Sequence, residues 1–116
     1  IIRPNTTSHE PHAFWDFLPT ACELAGVDPP SDVDGVSMMP TLLQRERDVP
    51  AHDTLFWRYG DKVAVRHGNW KIVQVKKDQP WELYNLDNDL GESNDVAAAN
   101  AERVTAMIAM AKREEK

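Results

Sequence analysis

The sequence predicts an α+β fold, in which a small four-stranded antiparallel sheet is packed by a C-terminal helix. Runs of β-forming residues recur between positions 54 and 86, with turn-forming residues between them. From about Ala101 the apolar residues recur at helical spacing. Positions 1–50 instead show short helical stretches and proline-rich loops, so we predict that they form a separate segment.

Two short helices are predicted in positions 1–50. The first begins at Asp16, a favourable N-cap residue, and ends at Gly26, which readily adopts a left-handed conformation. The second is predicted near Ser37, because residues 37–41 repeat the cap-x-apolar-Pro-Thr arrangement of residues 16–20. The apolar stripe of the first helix comprises Leu18, Ala21, Cys22 and Ala25.

The second part of the chain is predicted to contain the strands and the last helix. The first strand is predicted to end at Gly60-Asp61, and His67-Gly68-Asn69 is predicted to form a hairpin turn in which the glycine supplies a positive φ. The final helix is predicted to be capped by Asn100. The strands are predicted at Thr54–Tyr59, Lys62–Arg66, Trp70–Val75 and Trp81–Leu86. The helical stripe on the sheet is predicted to be Val104, Met107, Ile108 and Ala111.

A charged break at Gln44–Pro50 is the best internal boundary, and it divides the chain into residues 1–50 and 51–116. The first part has little apolar area of its own, so we expect it to pack against something that is absent from this chain. The chain also starts without an initiator Met, and we therefore expect it to be part of a longer protein.

Composition excludes several function classes. The net charge is −6, which disfavours non-specific binding to nucleic acid or to anionic lipid. No apolar run approaches the ~18–20 residues that cross a bilayer. Basic residues are nevertheless concentrated in the sheet region, where they indicate a solvated face or, alternatively, a surface for an anionic ligand. They are Lys62, Arg66, Lys71, Lys76 and Lys77.

No residue is predicted to be catalytic or to bind a metal. The segment Asp87–Glu92 resembles a calcium loop, but the later ligand positions fail and an Asx-rich turn is favoured. The single cysteine, Cys22, is predicted to be a buried, inert thiol. The histidines are scattered, and no nucleophile elbow or phosphate-binding glycine loop is present.

The aromatic residues of the strands have two interpretations. Aromatic side chains on a sheet usually pack in a core or in cross-strand pairs, but they also form platforms on which sugar rings stack. Core packing is favoured, with Trp57 and Tyr59 as the expected exceptions because their strand runs into a loop. The residues concerned are Trp57, Tyr59, Trp70 and Trp81.

Four segments in order, FLPTACELAGV, DGVSMMPTLL, TLFWRYGDKVAVRHGNWKIV and WELYNLDNDLGESNDVA, resemble the C-terminal part of the arylsulfatase family. Sulfatases of the N-acetylgalactosamine-6-sulfatase type and their bacterial relatives are the most similar. The resemblance runs from about Arg3 to the end. It implies an enzyme of the alkaline phosphatase superfamily that hydrolyses sulfate esters, often on sugars. Residues 1–50 would be the tail of its large α/β domain, and residues 51–116 its small C-terminal domain.

The resemblance also implies cofactors and partners. The parent protein would use calcium and a formylglycine made from Cys or Ser in a C/S-x-P/A-x-R motif, whereas Cys22 lies in CELAG and does not match. No cofactor is expected in this chain. Its partners would be the missing N-terminal sulfatase domain and a sulfated carbohydrate. The parent would be periplasmic, secreted or lysosomal.

Residues that contact substrate are expected in the segment Phe56–Gly60, because the small domain can border the cleft in such enzymes. The candidates are Trp57, Arg58 and Tyr59. Replacing Trp57 or Arg58 by alanine in the full-length enzyme should raise KM or alter substrate preference. Three alternatives stay open at this point. They are a stand-alone carbohydrate-binding module, an interaction module built on the apolar helices of residues 12–43, and a phosphodiesterase of the same superfamily.

Overall fold

A computed structural model describes residues 1–115 and shows two compact units, Ile1–Asp53 and a second that begins at Thr54. The first unit is built from short helices and loops, and the second from a sheet and a long helix. The elements of the first unit are a 3₁₀ turn (Phe14–Asp16), α1 (Phe17–Ala25) and α2 (Met39–Leu42). The elements of the second are β1 (Thr54–Tyr59), β2 (Lys62–His67), β3 (Trp70–Gln74), β4 (Glu82–Asn85), a 3₁₀ turn (Ala97–Ala99) and α3 (Ala101–Glu114).

Helix α1 begins and ends where the sequence predicts, with Gly26 at φ 70°. Asp16 occupies the N-cap position, but its carboxylate makes no capping hydrogen bond. Helix α2 starts later than predicted, since Met38 is its N-cap residue. The hydroxyl of Ser37 accepts a hydrogen bond from the Met39 N–H at 3.2 Å, so Ser37 orders the chain just before the helix.

The interior of the first unit is polar. Its buried residues are Asp16, Pro19 and Thr20, whereas the predicted apolar stripe of α1 is at best half-buried. Several large apolar side chains of this unit are exposed, and Phe14 and Phe17 are 84% and 69% exposed. The first unit is therefore held together mainly by hydrogen bonds rather than by an apolar core.

The four strands form one antiparallel sheet in the order β1-β2-β3-β4, and this confirms the predicted fold class. Two-residue turns join β1 to β2 and β2 to β3. Each has its glycine, Gly60 or Gly68, at φ 59°, a conformation that side-chain-bearing residues rarely adopt. Strand β2 is one residue longer than predicted, and β4 is shorter at both ends.

The apolar core lies between this sheet and α3. Val65, Ile72 and Leu83 are partners in neighbouring strands and are each 0% exposed. Met107 and Ala111 cover them from α3, as the helical stripe predicts. Further partly buried side chains extend the core on its edges, namely Phe56, Trp70, Trp81, Val104 and Ile108. Core packing is therefore confirmed for Trp70 and Trp81.

The remaining features of the fold are the start of α3 and the length of the helices. Asn100 precedes α3 as predicted, but its side-chain amide donates to the carbonyl of Val96 instead of capping the helix. Within residues 1–115, none of the helices combines the length and apolar character that a bilayer-crossing segment needs.

Candidate functional site

Asp16 lies at the centre of the most enclosed polar cluster in the first unit, and it is 0% exposed. Its Oδ2 accepts hydrogen bonds from the Ala13 N–H at 2.9 Å and from Nδ1 of His12 at 3.0 Å. Its Oδ1 accepts from the Val36 N–H at 2.9 Å. Nε2 of His52 lies 2.8 Å from Oδ1 and 2.9 Å from Oδ2, so its N–H is shared between the two oxygens.

The segment that contains Val36 is held against the start of α1 by a second buried group. The hydroxyl of Thr20 donates to the carbonyl of Asp16 at 2.6 Å and accepts from the Met38 N–H at 2.8 Å. Close approach of the two backbones requires glycine at position 35. A Cβ there would lie 2.2 Å from the carbonyl oxygen of Trp15, well inside van der Waals contact.

Thr41 completes the cluster from α2. Its hydroxyl lies 2.9 Å from Nε2 of His12. Because Nδ1 of His12 must donate to the carboxylate, a neutral ring presents Nε2 as the acceptor for the Thr41 hydroxyl. We refer to His12, Asp16, Thr41 and His52 as the Asp16 cluster. It joins side chains that are as far apart in sequence as positions 12 and 52.

The hydrogen bonds decide the charge state of Asp16. Burial alone would raise the pKa of this carboxyl group. The N–H groups of Ala13 and Val36, together with His52 and His12, outweigh burial and hold the pKa below its ordinary value. The carboxylate is therefore ionised at neutral pH and acts as a fixed acceptor for four donors.

Within residues 1–115, one group of side chains brings metal-ligating atoms close enough together to hold an ion. The ligand atoms of His12, Asp16 and His52 lie within 4.8 Å of one another. Calcium prefers six to eight oxygen ligands, so two imidazoles and one carboxylate do not fit the calcium that the sulfatase resemblance implies. A transition metal would have to replace the imidazole protons that already bond the carboxylate. The hydrogen bonds from both imidazoles to the carboxylate use those protons, and we interpret the cluster as structural.

Acid should weaken the Asp16 cluster. Since the pKa of Asp16 is lower in the folded state, the ionised carboxylate stabilises the fold fully above the ordinary pKa of an aspartate. This stabilisation is lost as pH falls through the lower pKa of the folded state. We expect the difference in free energy of unfolding between wild type and Asp16→Asn to shrink between about pH 5 and pH 2. Urea unfolding across this range measures it.

The control for this experiment is Asp34→Asn, which changes an exposed carboxylate of the same unit. Its difference from wild type should stay small at every pH. A gap between wild type and Asp16→Asn that is the same at pH 7 and pH 2 would show that the charge of Asp16 does not stabilise the fold.

The calcium-like segment forms the Asx-rich turn that the sequence predicts. The carboxylate of Asp89 accepts hydrogen bonds from the N–H and the hydroxyl of Ser93 and from the N–H of Asn94, at 2.8–3.0 Å. The N–H groups of Ser93 and Asn94 and the Ser93 hydroxyl lower the pKa of Asp89. The oxygens of Asp89 are thus used within the turn.

The three predicted substrate residues are brought onto one strand but not onto one surface. Successive side chains of a strand point to opposite faces, so Trp57 and Tyr59 share one face of β1 and Arg58 lies on the other. Arg58 forms an ion pair with Glu115, just after α3, on the face that carries the core. Trp57 is half-buried, whereas Tyr59 is 84% exposed.

Sequence reasoning missed the Asp16 cluster. The sequence predicts only a helix cap at Asp16 and scattered histidines, because His52 lies 36 residues away from this carboxylate in the chain. One signal was available in the repeated Pro-Thr arrangement at residues 16–20 and 37–41. Thr20 and Thr41, the last residue of each repeat, both make hydrogen bonds in this region.

Comparisons with known proteins show where this chain belongs. A sulfatase of Formosa agariphila is 31% identical over 129 residues, covering 95% of this chain and 23% of the relative. Human N-acetylgalactosamine-6-sulfatase is 31% identical over 100 residues, covering 83% of this chain and 18% of the relative. The chain therefore spans about a quarter or less of the length of these relatives.

Solved structures of other proteins contain a part that is similar in fold to this chain. The crystal structure of Ps i-CgsB superposes with a TM-score of 0.69 at 29% identity, covering 90% of this chain and 24% of the other. A structure of Ps i-CgsB in complex with k-i-k-neocarrahexaose gives a TM-score of 0.64 at 30% identity, covering 84% and 23%.

The shared fold and these relatives place the chain in the sulfatase class, as the four sequence segments predict. Within that class it belongs to the N-sulphoglucosamine sulphohydrolase C-terminal family, whose sequence profile matches residues 1–115.

Proposed function

We propose that this chain is the C-terminal part of a sulfatase that hydrolyses sulfate esters on carbohydrates. Its role there is structural, in that it completes the fold of the parent and forms one wall of the substrate cleft with the segment Phe56–Gly60. The family match over residues 1–115 carries the proposal. The names of the relatives support the sugar substrate, since one is an N-acetylgalactosamine-6-sulfatase and another was solved with an oligosaccharide.

The exposed apolar surface of the first unit supports the structural role. Phe14, Phe17 and Leu24 are each more than 60% exposed. Covering a side chain of this size is worth about 1.5–3 kcal/mol, so a folded parent has a strong reason to bury them. The relatives are several times longer than this chain, and we propose that the N-terminal domain of the parent covers this surface.

The chemical step is proposed to take place in that N-terminal domain. Sulfate-ester hydrolysis needs a nucleophile that attacks sulfur and a cation that offsets the charge of the sulfate. The formylglycine and the calcium of the family would supply these two functions, and no set of described residues in this chain fits the calcium. We therefore expect the isolated chain to be inactive. By the same resemblance we propose a periplasmic, secreted or lysosomal parent.

The upstream coding sequence tests this proposal. We expect a C/S-x-P/A-x-R motif near the start of the full protein, and mass spectrometry of the expressed parent should show that its Cys or Ser is converted to formylglycine. Replacing that residue by alanine should abolish sulfate release and leave the folded parent intact. A parent without the motif that cleaves phosphate diesters instead would favour the phosphodiesterase alternative and contradict the proposal.

A further inference from the structure

The tip of the β1–β2 hairpin carries an aromatic ring and an ammonium group side by side. Tyr59 and Lys62 are direct partners in the antiparallel register, so their side chains lie on the same face with Cβ atoms about 5 Å apart. Both are exposed, and Tyr59 has the most exposed aromatic ring of the second unit. We infer that this pair is a binding site for a sulfated sugar, with the Tyr59 ring stacking on the sugar and Lys62 pairing with a sulfate group. The inference rests on the proposed function and deepens it.

The other charged side chains on this face are already engaged. Arg66 donates from Nε to the carbonyl of Gly68, and Lys71 forms an ion pair with Glu92. Glu82 accepts a hydrogen bond from the hydroxyl of Tyr84 at 2.6 Å. Within the part of the chain that the structure describes, Lys62 has no ion-pair partner. Its ammonium group is therefore available to an external anion.

The chemistry of the pair matches an anionic sugar. The face of an aromatic ring carries negative partial charge, which attracts the polarised C–H groups of a sugar ring. An ammonium group binds a sulfate oxygen through a charge-assisted hydrogen bond. Because the chain as a whole carries a charge of −6, a polyanion is repelled at long range and needs a local cation to bind.

Two charged residues next to the pair, Arg58 and Asp61, are not expected to bind the sulfate. Arg58 lies on the opposite face of β1 and is paired with Glu115, so it is not part of this site. Asp61 is exposed in the same turn, directly before Lys62, and its carboxylate opposes binding of an anion. Removing the negative charge of Asp61 should therefore strengthen binding of the sulfated sugar. In a site for a cation, the same change would weaken binding.

The test is an NMR titration of the 116-residue chain with k-i-k-neocarrahexaose and with its desulfated form. We expect chemical-shift changes centred on residues 59–62 and weaker binding of the desulfated sugar. Tyr59→Ala should abolish the shifts, while Tyr59→Phe retains them. Lys62→Gln should weaken binding by about three- to fivefold, as expected for an exposed ion pair. Asp61→Asn should tighten it.

A matched control variant shows whether the loss of binding is specific to Lys62. Lys76→Gln makes the same charge change at another exposed position of the second unit and should leave binding unchanged. Equal effects of Lys62→Gln and Lys76→Gln, equal binding of the desulfated sugar, or no binding at millimolar sugar would overturn the inference. A parent that releases sulfate with unchanged KM after Tyr59→Ala and Lys62→Gln would also overturn it, while the proposed hydrolysis of sulfate esters by the parent would stand.

Discussion

Asp16→Asn is expected to lower the free energy of unfolding by about 2–4 kcal/mol, because leaving a buried donor without its acceptor costs about 1–3 kcal/mol for each group. The amide keeps the shape of the carboxylate but loses its charge. It also turns an NH₂ group towards donors such as the Val36 N–H or His52, which then have no acceptor. Thermal or urea unfolding of the chain measures the loss, and amide exchange at Val36 localises it to the first unit.

Asp34→Asn is the matched control, because it removes one negative charge from an exposed position of the same unit. Its effect should stay within ±0.5 kcal/mol, roughly the range of surface substitutions. If Asp16→Asn were as mild as Asp34→Asn, Asp16 would not organise the first unit, and the structural interpretation of the Asp16 cluster would fail.

Ile72→Ala is expected to lower the free energy of unfolding by about 2–5 kcal/mol. Ile72 is 0% exposed, pairs with Val65 and Leu83 on the neighbouring strands and lies under α3. The alanine removes apolar contacts and leaves a cavity that close-packed neighbours fill only in part. Urea unfolding followed by tryptophan fluorescence measures the effect, since Trp70 and Trp81 border this core.

Val75→Ala is the control for the core prediction. Val75 follows directly after β3 and is 44% exposed, so its truncation should cost less than about 1 kcal/mol. Similar losses for Ile72→Ala and Val75→Ala would mean that the sheet and α3 do not share a close-packed core.

Local sequence signals were sufficient for most of the second unit. Gly60 and Gly68 mark its two tight turns, and the runs of β-forming residues on either side of these turns predict the strands. The spacing of Met107 and Ala111 predicts the face of α3 that covers the sheet. These predictions are correct because each feature depends on residues that are close together in the sequence.

The first unit was harder to predict because its order depends on distant contacts. Asp16 occupies a helix N-cap position, and nothing in its neighbours shows that Val36 and His52 return to it. The apolar stripe of α1 was predicted correctly as a pattern, but its side chains are largely uncovered within this chain.

The predicted substrate residues could have been assigned to the faces of the sheet from the sequence. The sequence groups Trp57, Arg58 and Tyr59 because they are consecutive, but the period of two in a strand places Arg58 on the other face. That alternation was available from the sequence alone. It places Trp57 and Tyr59 on one face, and the register adds Lys62 as the partner of Tyr59. The role of all three predicted residues in substrate binding stays a prediction.

We propose that this chain supports the fold of a sulfatase and does not itself perform the hydrolysis. The most direct measurement is the release of inorganic sulfate from a sulfated oligosaccharide, made in parallel with the full-length parent and with the 116-residue chain alone. We expect the parent to release sulfate and the isolated chain to release none. Sulfate release by the isolated chain, or a correctly processed parent that leaves every sulfate ester intact, would contradict this proposal.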